Sequence, residues 1–457
     1  MRLSSLQPAF AHRRYVSLTN ILYIAALAIF LTRSSLDNVL EIVQINVGAG
    51  NTFTPGAAVN ALLIAITTVL ALCHPDRVSW RVQTGWIVFL VFCTIMSLRT
   101  PDPIGVARLM LVLFSYQCAF MLPFFFIRTV HGVKPFINII LYSSIVPSLV
   151  AAAQILGALP SNIDGRIAST FTHPNIFAFY LLVVGAAIAY RFASPAFHDS
   201  TPKRVVLIAY SGLLCVFLLT TQTRSAWFAA TLLLFSYAVF IRPQALLSLV
   251  ALPFVVLLSP SIQERLLNIM EPAEYVGNGV ILNSYDWRRR LWHDAFTWID
   301  QSPLAGHGGL GSFFTQSPNF FTLETVSVYA HNVFIQLAFE VGYIGAALFF
   351  VIFAQKAWTF ISMFKIDRPA SVIGITYCAA YLAVSYSDNM LYYLASNWYA
   401  FAFLGALIAS GRSYAASEDL RFRRSLFPRS KKYRSQVARV SGWSASGQNT
   451  ANARPAG

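Results

Sequence analysis

Long apolar segments recur from one end of the chain to the other, separated by short polar breaks. The runs at 21–31, 57–72 and 137–156 are examples, and no separate soluble domain is visible between them. Hydrophobic residues make up 56% of the 457 residues and charged residues only 11%, whereas a soluble domain has roughly 25% charged residues. Such a chain needs lipid as its solvent, so the sequence predicts an all-α polytopic membrane protein.

The length of the apolar segments sets the number of helices that cross the membrane. One crossing needs about 17 to 25 mostly apolar residues, and this criterion predicts about twelve transmembrane helices in a single membrane domain over residues 1–411. No small-residue cleavage pattern closes the first apolar run, so we expect it to be retained as a helix. The predicted spans are residues 17–32, 56–73, 82–98, 104–127, 135–157, 174–191, 205–221, 225–241, 244–260, 332–355, 370–387 and 394–411.

Basic residues fall unequally on the two sides of these spans. With a cytoplasmic N-terminus, 24 of the 33 lysine and arginine residues lie inside, ten of them in a tail at 412–457. This asymmetry predicts a multi-pass membrane protein with both termini cytoplasmic and a large outer loop at 261–331, which in a bacterial inner membrane is periplasmic. The tail is predicted to be disordered and attracted to anionic lipid. The net charge of +15 is therefore attributed to the membrane, and nucleic acid is not expected as a partner.

Neither the cysteines nor the glycine-rich segment predicts a cofactor. The five cysteines lie within or at the ends of apolar runs without CxxC spacing, so neither a disulfide framework nor a zinc site is expected. Residues 303–311 are rich in glycine but lack the preceding strand of a dinucleotide fold and the GK[ST] of a P-loop. They favour either a plain turn or a close approach of the backbone to a ligand.

The outer side carries arginine without lysine. A guanidinium matches phosphate through two parallel hydrogen bonds, whereas an ammonium acts as a point charge. Arg224 lies in a short hairpin at the outer membrane boundary, where the alternative is snorkelling to lipid headgroups. Arg288 falls in the middle of the apolar half of a predicted amphipathic helix at 285–299 and needs an anionic partner there, whereas Arg289 and Arg290 lie on its polar half. The nine outer basic residues are Arg33, Arg99, Arg108, Arg166, Arg224, Arg265, Arg288, Arg289 and Arg290.

His331 directly precedes a predicted span on the outer side. An imidazole there could take a proton from a sugar hydroxyl, because its pKa is near neutrality. Asn332 is as easily explained as the helix cap. Glu340 lies about 13 Å deeper and on the opposite face of the helix, so we expect a buried structural partner.

Two further outer loops carry candidate residues. Arg166 could bind phosphate or sugar, and Asp388 could orient a base or an arginine; an ordinary loop role is an equal alternative for both. His173 precedes Pro174 at a predicted first helical turn and is interpreted as a neighbour of the helix cap.

These elements follow one another in an order that resembles a known group of enzymes, the bacterial O-antigen ligase and polysaccharide polymerase superfamily. The resemblance covers roughly residues 160 to 345. It implies a membrane glycosyltransferase of the GT-C type that needs no metal or cofactor and uses an undecaprenyl-diphosphate-linked glycan as donor. It also implies that Arg224 and Arg288 hold the diphosphate and that His331 assists the acceptor hydroxyl. The matching elements are Gly165-Arg166, Thr170-Phe171, Pro174-Asn175, Thr223-Arg224-Ser225, Arg288 with Leu291-Trp292, Pro303 with Gly306 and Gly308, His331-Asn332, and Glu340 with Gly342.

Within this group the overall resemblance favours a polymerase that extends lipid-linked repeat units into exopolysaccharide or O-antigen, acting with other polysaccharide export components. An O-antigen ligase that transfers glycan to lipid A core is the first alternative. A polysaccharide flippase would also have about twelve spans, but a transporter should carry its charged residues near the membrane midplane. A protein-glycosylating enzyme stays open because the sequence does not identify the acceptor.

Overall fold

The structure is a computed structural model that describes residues 8–43, 45–46, 52–161, 165–247, 263, 274–276, 279–281, 284–321, 323 and 326–426. Apart from two short antiparallel hairpins, its regular elements in this part of the chain are helices. The strands are β1 (Ile45–Asn46), β2 (Thr52–Phe53), β3 (Glu274–Val276) and β4 (Gly279–Ile281). The α-helices are α1 (Pro8–Arg33), α2 (Asp37–Ile42), α3 (Pro55–Cys73), α4 (Thr84–Met96), α5 (Pro103–Phe126), α6 (Lys134–Ser143), α7 (Ile145–Ile155), α8 (Pro174–Ala193), α9 (Thr201–Thr220), α10 (Arg224–Phe240), α11 (Ser284–Ile299), α12 (Ser312–Phe320), α13 (Val333–Ser362), α14 (Arg368–Ser385) and α15 (Leu394–Leu426).

Seven helical segments among the described residues are long and apolar enough to cross a membrane. Three shorter apolar helical segments, Leu18–Arg33, α4 and α10, accompany them. The all-helical class expected of a membrane protein is therefore present, while the count of twelve spans and the GT-C architecture stay predictions. The predicted span at 244–260 lies almost entirely outside the described residues. The seven segments are Pro55–Cys73, Pro103–Phe126, Val130–Ile155, Pro174–Ala193, Thr201–Thr220, Val333–Ser362 and Leu394–Ala415.

The span predicted over 135–157 is present as one apolar segment, Val130–Ile155, which the single residue Ser144 divides into α6 and α7. Pro147 has no backbone N–H, so it cannot donate to the carbonyl of Ser143 four residues earlier. That carbonyl instead accepts a hydrogen bond of 2.8 Å from the Ser34 hydroxyl. The break thus ties this span to the end of α1.

The last helix continues beyond its predicted end at residue 411. The disorder predicted from residue 412 does not begin there, because α15 remains helical to Leu426. Residues 412–426 include four arginines, two alanines, two leucines and one glutamate, all of which favour helix, and no proline occurs between residue 412 and Pro428. The rest of the predicted tail, 427–457, lies outside the described residues.

The core of the bundle surrounds α15. The stretch Leu394–Ala415 is almost wholly buried and packs against α5 and α8. Gly405 permits this close contact, because a Cβ atom at that position would lie only 2.1 Å from the carbonyl oxygen of Phe120 on α5. Small residues are the usual means by which membrane helices approach closely.

A cation is buried within the same core. Lys356 of α13 is fully buried, and its Nζ has no hydrogen-bond partner among the described residues. The Nζ lies 4.7 Å from the ring centroid of Phe120, 5.7 Å from that of Phe401 and 5.8 Å from that of Trp86. Attraction to the faces of these rings offsets part of the cost of removing the charge from water.

The loop predicted to be periplasmic contributes a second, smaller core. As the sequence predicts, α11 is amphipathic, with Leu291 and Trp292 buried and Arg289 and Arg290 exposed. Its apolar face packs on α12 and α13, so protein covers this face. Phe296, which the helical pattern assigns to the apolar half, is instead 41% exposed.

The glycine-rich segment 303–311 docks where α13 is kinked. Val341 and Gly342 depart from helical geometry, which frees backbone carbonyls on the preceding turn. The carbonyl of Phe339 accepts from His307 N–H at 2.7 Å, and that of Glu340 accepts from Gly309 N–H at 3.0 Å. The kink therefore fixes the small outer core on the membrane helix that follows His331.

Candidate active site

Arg166 and Arg224 meet at the turn between α9 and α10. Arg166 donates from Nε to the carbonyl of Thr221 at 2.8 Å and from Nη2 to the hydroxyl of Thr223 at 3.2 Å. Thr223 is the N-cap residue of α10, and the half-buried Arg224 is the first residue of that helix. Two arginines that are 58 positions apart in the sequence therefore lie at one point of the fold.

Asn175 connects Arg166 to a third segment of the chain. Its Oδ1 accepts from Arg166 Nη2 at 2.7 Å and from the Thr223 hydroxyl at 3.1 Å. Its Nδ2 donates to Asp388 Oδ2 at 2.5 Å. Both the oxygen and the nitrogen of the Asn175 amide are thus hydrogen-bonded. The first turn of α8 therefore holds the turn between α9 and α10 against the loop between α14 and α15.

Asp388 is buried, with only 1% of its surface exposed. Besides Asn175, it accepts hydrogen bonds from the Tyr393 hydroxyl and from the backbone N–H of Asn389 at 2.9 Å. Burial raises the pKa of Asp388, while the hydrogen bond from Tyr393 and the charge of Arg288 oppose that rise. The carboxyl group organises its neighbours because each of its oxygens already accepts a bond.

Arg288 reaches the same loop from α11. Its Nη1 donates to the carbonyl of Ser387 at 2.9 Å, and the charge of Asp388 next along the chain acts on it. The sequence predicts an anionic partner for this guanidinium, and Asp388 supplies one by electrostatic attraction. The side chain is half-buried, so the other donors of the guanidinium fork can serve a ligand.

His331 lies beside Arg288 under strained backbone geometry. Its φ of +50° is in the left-handed region that non-glycine residues rarely adopt, and such residues cluster at functional sites. The imidazole ring packs edge to face on Trp287 with 5.8 Å between centroids. Its Nδ1 is buried and has no hydrogen-bond partner in the described part of the chain. Burial, and then the charge of Arg288, lower the pKa of His331 to about 4, so the ring is neutral near pH 7.

His173 is a second histidine at this position. It is itself the N-cap of α8, whereas the sequence interpretation made it a neighbour of the cap. Burial lowers its pKa, and the charge of Arg166 acts in the same direction. The charge of Asp388 opposes this decrease and His331 is a further electrostatic neighbour, which places His173 among the candidate residues.

Asn332 and Glu340 have identifiable structural contacts. The side chain of Asn332 caps α13 by accepting from the N–H groups of Phe334 and Ile335 at 2.9 and 3.1 Å. Fully buried Glu340 accepts from Gln336 at 3.0 Å and from the Tyr392 hydroxyl at 2.8 Å. Backbone hydrogen bonds from Gly311 and Phe313 complete its surroundings at the start of α12. Glu340 therefore ties the outer helices to the membrane helix.

Three other outer arginines have ion pairs or exposure that account for them structurally. Arg33 is buried in ion pairs with Asp37 at 2.7 Å and Glu41 at 3.0 Å, which gives it a structural explanation. The side chains of Arg289 and Arg290 are 65% and 56% exposed. Arg265 lies outside the described residues.

Sequence reasoning did not assign functions to Asn175, Thr223 and Tyr393, although these residues hold the cluster together. Asn175 and Thr223 occupy helix starts, which could have marked them as polar groups with fixed backbone positions. No spacing in the sequence indicates that Asn175 and Tyr393 share Asp388, because the contact joins distant segments.

Comparison with known proteins identifies one part of the chain. No curated protein matches the chain. Residues 209–350 match the family model described as O-Antigen ligase, a range that includes Arg224, Arg288 and His331. Members of this family are glycosyltransferase-like enzymes of the ligase or polymerase type that act on lipid-linked glycans at a membrane. The resemblance read from the sequence is thereby confirmed over residues 209–350, which are similar to the O-antigen ligase family.

Proposed function

We propose that the protein is a metal-independent glycosyltransferase that polymerises undecaprenyl-diphosphate-linked repeat units at the periplasmic face of the bacterial inner membrane. The observation that carries the proposal is the convergence of Arg166, Arg288 and His331 around the hydrogen bond between Asn175 and Asp388. Arg224 joins them through the turn that Arg166 holds. A guanidinium cluster beside a neutral imidazole suits an anionic donor and a hydroxyl acceptor.

Helix ends add to the attraction for an anion. The N-caps of α8, α10 and α13 are His173, Thr223 and Asn332, and all three adjoin the cluster. The N-terminus of a helix carries roughly half a positive charge and presents N–H groups to an anion. The diphosphate of a lipid-linked donor would therefore meet both guanidinium groups and helix ends.

In the proposed reaction, Arg224 and Arg288, assisted by Arg166, hold the diphosphate and stabilise the charge that develops on it. The acceptor hydroxyl oxygen forms a bond to the anomeric carbon while the bond from that carbon to the diphosphate oxygen breaks. The electron pair of the broken bond remains on the diphosphate, where the arginines stabilise it. The result is a single displacement with inversion at the anomeric carbon.

His331 takes the proton of the acceptor hydroxyl. A neutral imidazole has one ring nitrogen without a proton, which can accept the proton of the hydroxyl. With its pKa lowered to about 4, the imidazole is neutral but a weak base in the free protein. The negative charge of the diphosphate offsets the positive charge of Arg288, so donor binding raises the pKa of His331. The imidazole therefore becomes a stronger base only when the donor is present.

Purified protein in liposomes, given a defined undecaprenyl-diphosphate-linked repeat unit, tests the proposal. We expect lipid-linked products of two or more repeat units, formed without added metal and in the presence of a chelator. Transfer only when lipid A core is supplied would instead identify the ligase that the family description names. Translocation of the lipid without any new glycosidic bond would contradict both and favour a flippase.

A further inference from the structure

His173 has a proton arrangement that the fold dictates. Its Nδ1 accepts a hydrogen bond of 3.1 Å from the backbone N–H of Asn175, which caps α8. An imidazole nitrogen that accepts a hydrogen bond carries no proton, so the proton of the neutral ring is on Nε2. His173 therefore presents one fixed N–H donor on the side of the ring away from the cap.

The ring remains in this neutral form at neutral pH. Burial, and then the charge of Arg166, lower the pKa of His173, while the charge of Asp388 opposes this decrease. A neutral ring keeps Nδ1 as the acceptor of the cap and Nε2 as a donor. The same bond that starts the helix thus sets the tautomer at the candidate site.

The Nε2–H remains available for a ligand. It makes no hydrogen bond to any residue that the structure describes. The carboxylate of Asp388, whose charge acts on His173, already accepts hydrogen bonds from Asn175, Tyr393 and the N–H of Asn389. His173 lies in the same loop as Arg166, two residues before Asn175, whose side-chain amide oxygen accepts a hydrogen bond from Arg166.

We propose that His173 is a substrate-binding residue whose Nε2–H donates a hydrogen bond to a diphosphate oxygen of the lipid-linked donor. An anion is the appropriate partner because Arg166 and the N-terminus of α8 place positive charge around this donor. The inference rests on the proposed function, since it assigns one more contact to the same donor. Unlike an arginine, the neutral imidazole of His173 orients the diphosphate without adding positive charge.

Two substitutions separate this role from helix capping. The side chain of His173→Asn can accept the N–H of Asn175, as a good N-cap does, but has no group at the position of Nε2. The side chain of His173→Gln places an amide N–H near that position and loses the cap. Activity with the lipid-linked repeat unit and thermal unfolding are measured for both variants and the wild type. Competitive inhibition by undecaprenyl diphosphate without sugar reports the diphosphate contact directly.

We expect His173→Asn to unfold at the wild-type temperature or above, with the KM for the donor and the inhibition constant both raised about tenfold. His173→Gln should unfold at a lower temperature and keep both constants within about threefold of wild type. Wild-type constants in His173→Asn would overturn the inference while leaving the proposed function intact. If the wild type forms no glycosidic bond, the proposed function fails, and equal binding of undecaprenyl diphosphate to wild type and His173→Asn would then contradict the His173 contact as well.

Discussion

Gly342 is the position at which one added methyl group should separate the outer core from the membrane bundle. Its backbone has φ +76° and ψ 172°, a region that is essentially restricted to glycine. A Cβ atom there would lie 2.2 Å from the carbonyl oxygen of Leu304 and 2.8 Å from the backbone nitrogen of Ala305. These are backbone atoms, so no side chain can rotate away.

The expected effect of Gly342→Ala follows from these two features. Strain at such a φ and ψ costs about 1–3 kcal/mol, and overpacking costs about 1–3 kcal/mol, so the free energy of unfolding should fall by about 2–6 kcal/mol. If the segment 303–311 moves away instead, its hydrogen bonds to α13 are lost at about 1 kcal/mol each. In that case Gly309 no longer donates to the carbonyl of Glu340, and the small outer core is released from α13.

A matched control is available in the bundle. Gly185 lies within α8, has ordinary helical φ, and an added Cβ would meet nothing within 4 Å. Gly185→Ala should therefore stabilise the helix by about 0.5–1 kcal/mol, because alanine loses less backbone entropy than glycine. The two substitutions are chemically identical, and their effects on the free energy of unfolding should have opposite signs.

Thermal unfolding in detergent measures both variants with a thiol-reactive fluorophore. Cys93, Cys118 and Cys378 are free and buried, so they react only when the bundle opens. We expect a lower midpoint for Gly342→Ala, with reduced transfer activity, and an unchanged or higher midpoint for Gly185→Ala. Equal midpoints for the two variants would refute the reasoning about the kink.

Three further outcomes follow from the structure. Asn175→Asp places two carboxylates at the 2.5 Å contact with Asp388 and should lower stability and activity. The double variant Asn175→Asp/Asp388→Asn restores a donor and an acceptor and should recover part of both. A double-mutant cycle that shows no recovery would contradict the contact. Because the pKa of His331 is lowered to about 4, its base form persists above that pH, so kcat/KM should fall only as the pH drops through about 4; a fall centred at 6.5 would indicate an unperturbed imidazole. Lys356→Met removes a buried cation without a hydrogen-bond partner among the described residues and should leave the unfolding midpoint unchanged or raised, whereas a large decrease would show that the attraction to Phe120 outweighs desolvation.

Periodicity and charge predicted those parts of the protein that depend on local sequence. The amphipathic α11 and its half-buried Arg288 follow from helical spacing, and α13 begins directly after His331 and its cap Asn332. Local signals also mark two places where the helices differ from the predicted bounds. Pro147 marks the broken span, and the helix-favouring residues after 411 mark the continuation of α15.

The organisation of the site depends on contacts that no local pattern contains. Asn175 and Asp388 are 213 positions apart, and their hydrogen bond becomes apparent only when α8 and the loop before α15 are packed together. The positive φ of His331 and the kink at Gly342 likewise arise from tertiary packing. The sequence could not distinguish a structural arginine, Arg33, from a candidate ligand-binding arginine, Arg288. Only the fold shows that Arg33 is held in ion pairs.

The central claim is that specific guanidinium groups hold the diphosphate of the donor. Arg288→Ala and Arg289→Ala, neighbours on α11, test it most directly in the liposome assay with equal amounts of folded protein. Arg288 contacts the loop at Ser387, whereas the side chain of Arg289 is 65% exposed. We expect Arg288→Ala to reduce the transfer rate about a hundredfold or more and Arg289→Ala to remain within about twofold of wild type. Near-normal transfer by Arg288→Ala, or equal losses in the two variants, would contradict the account.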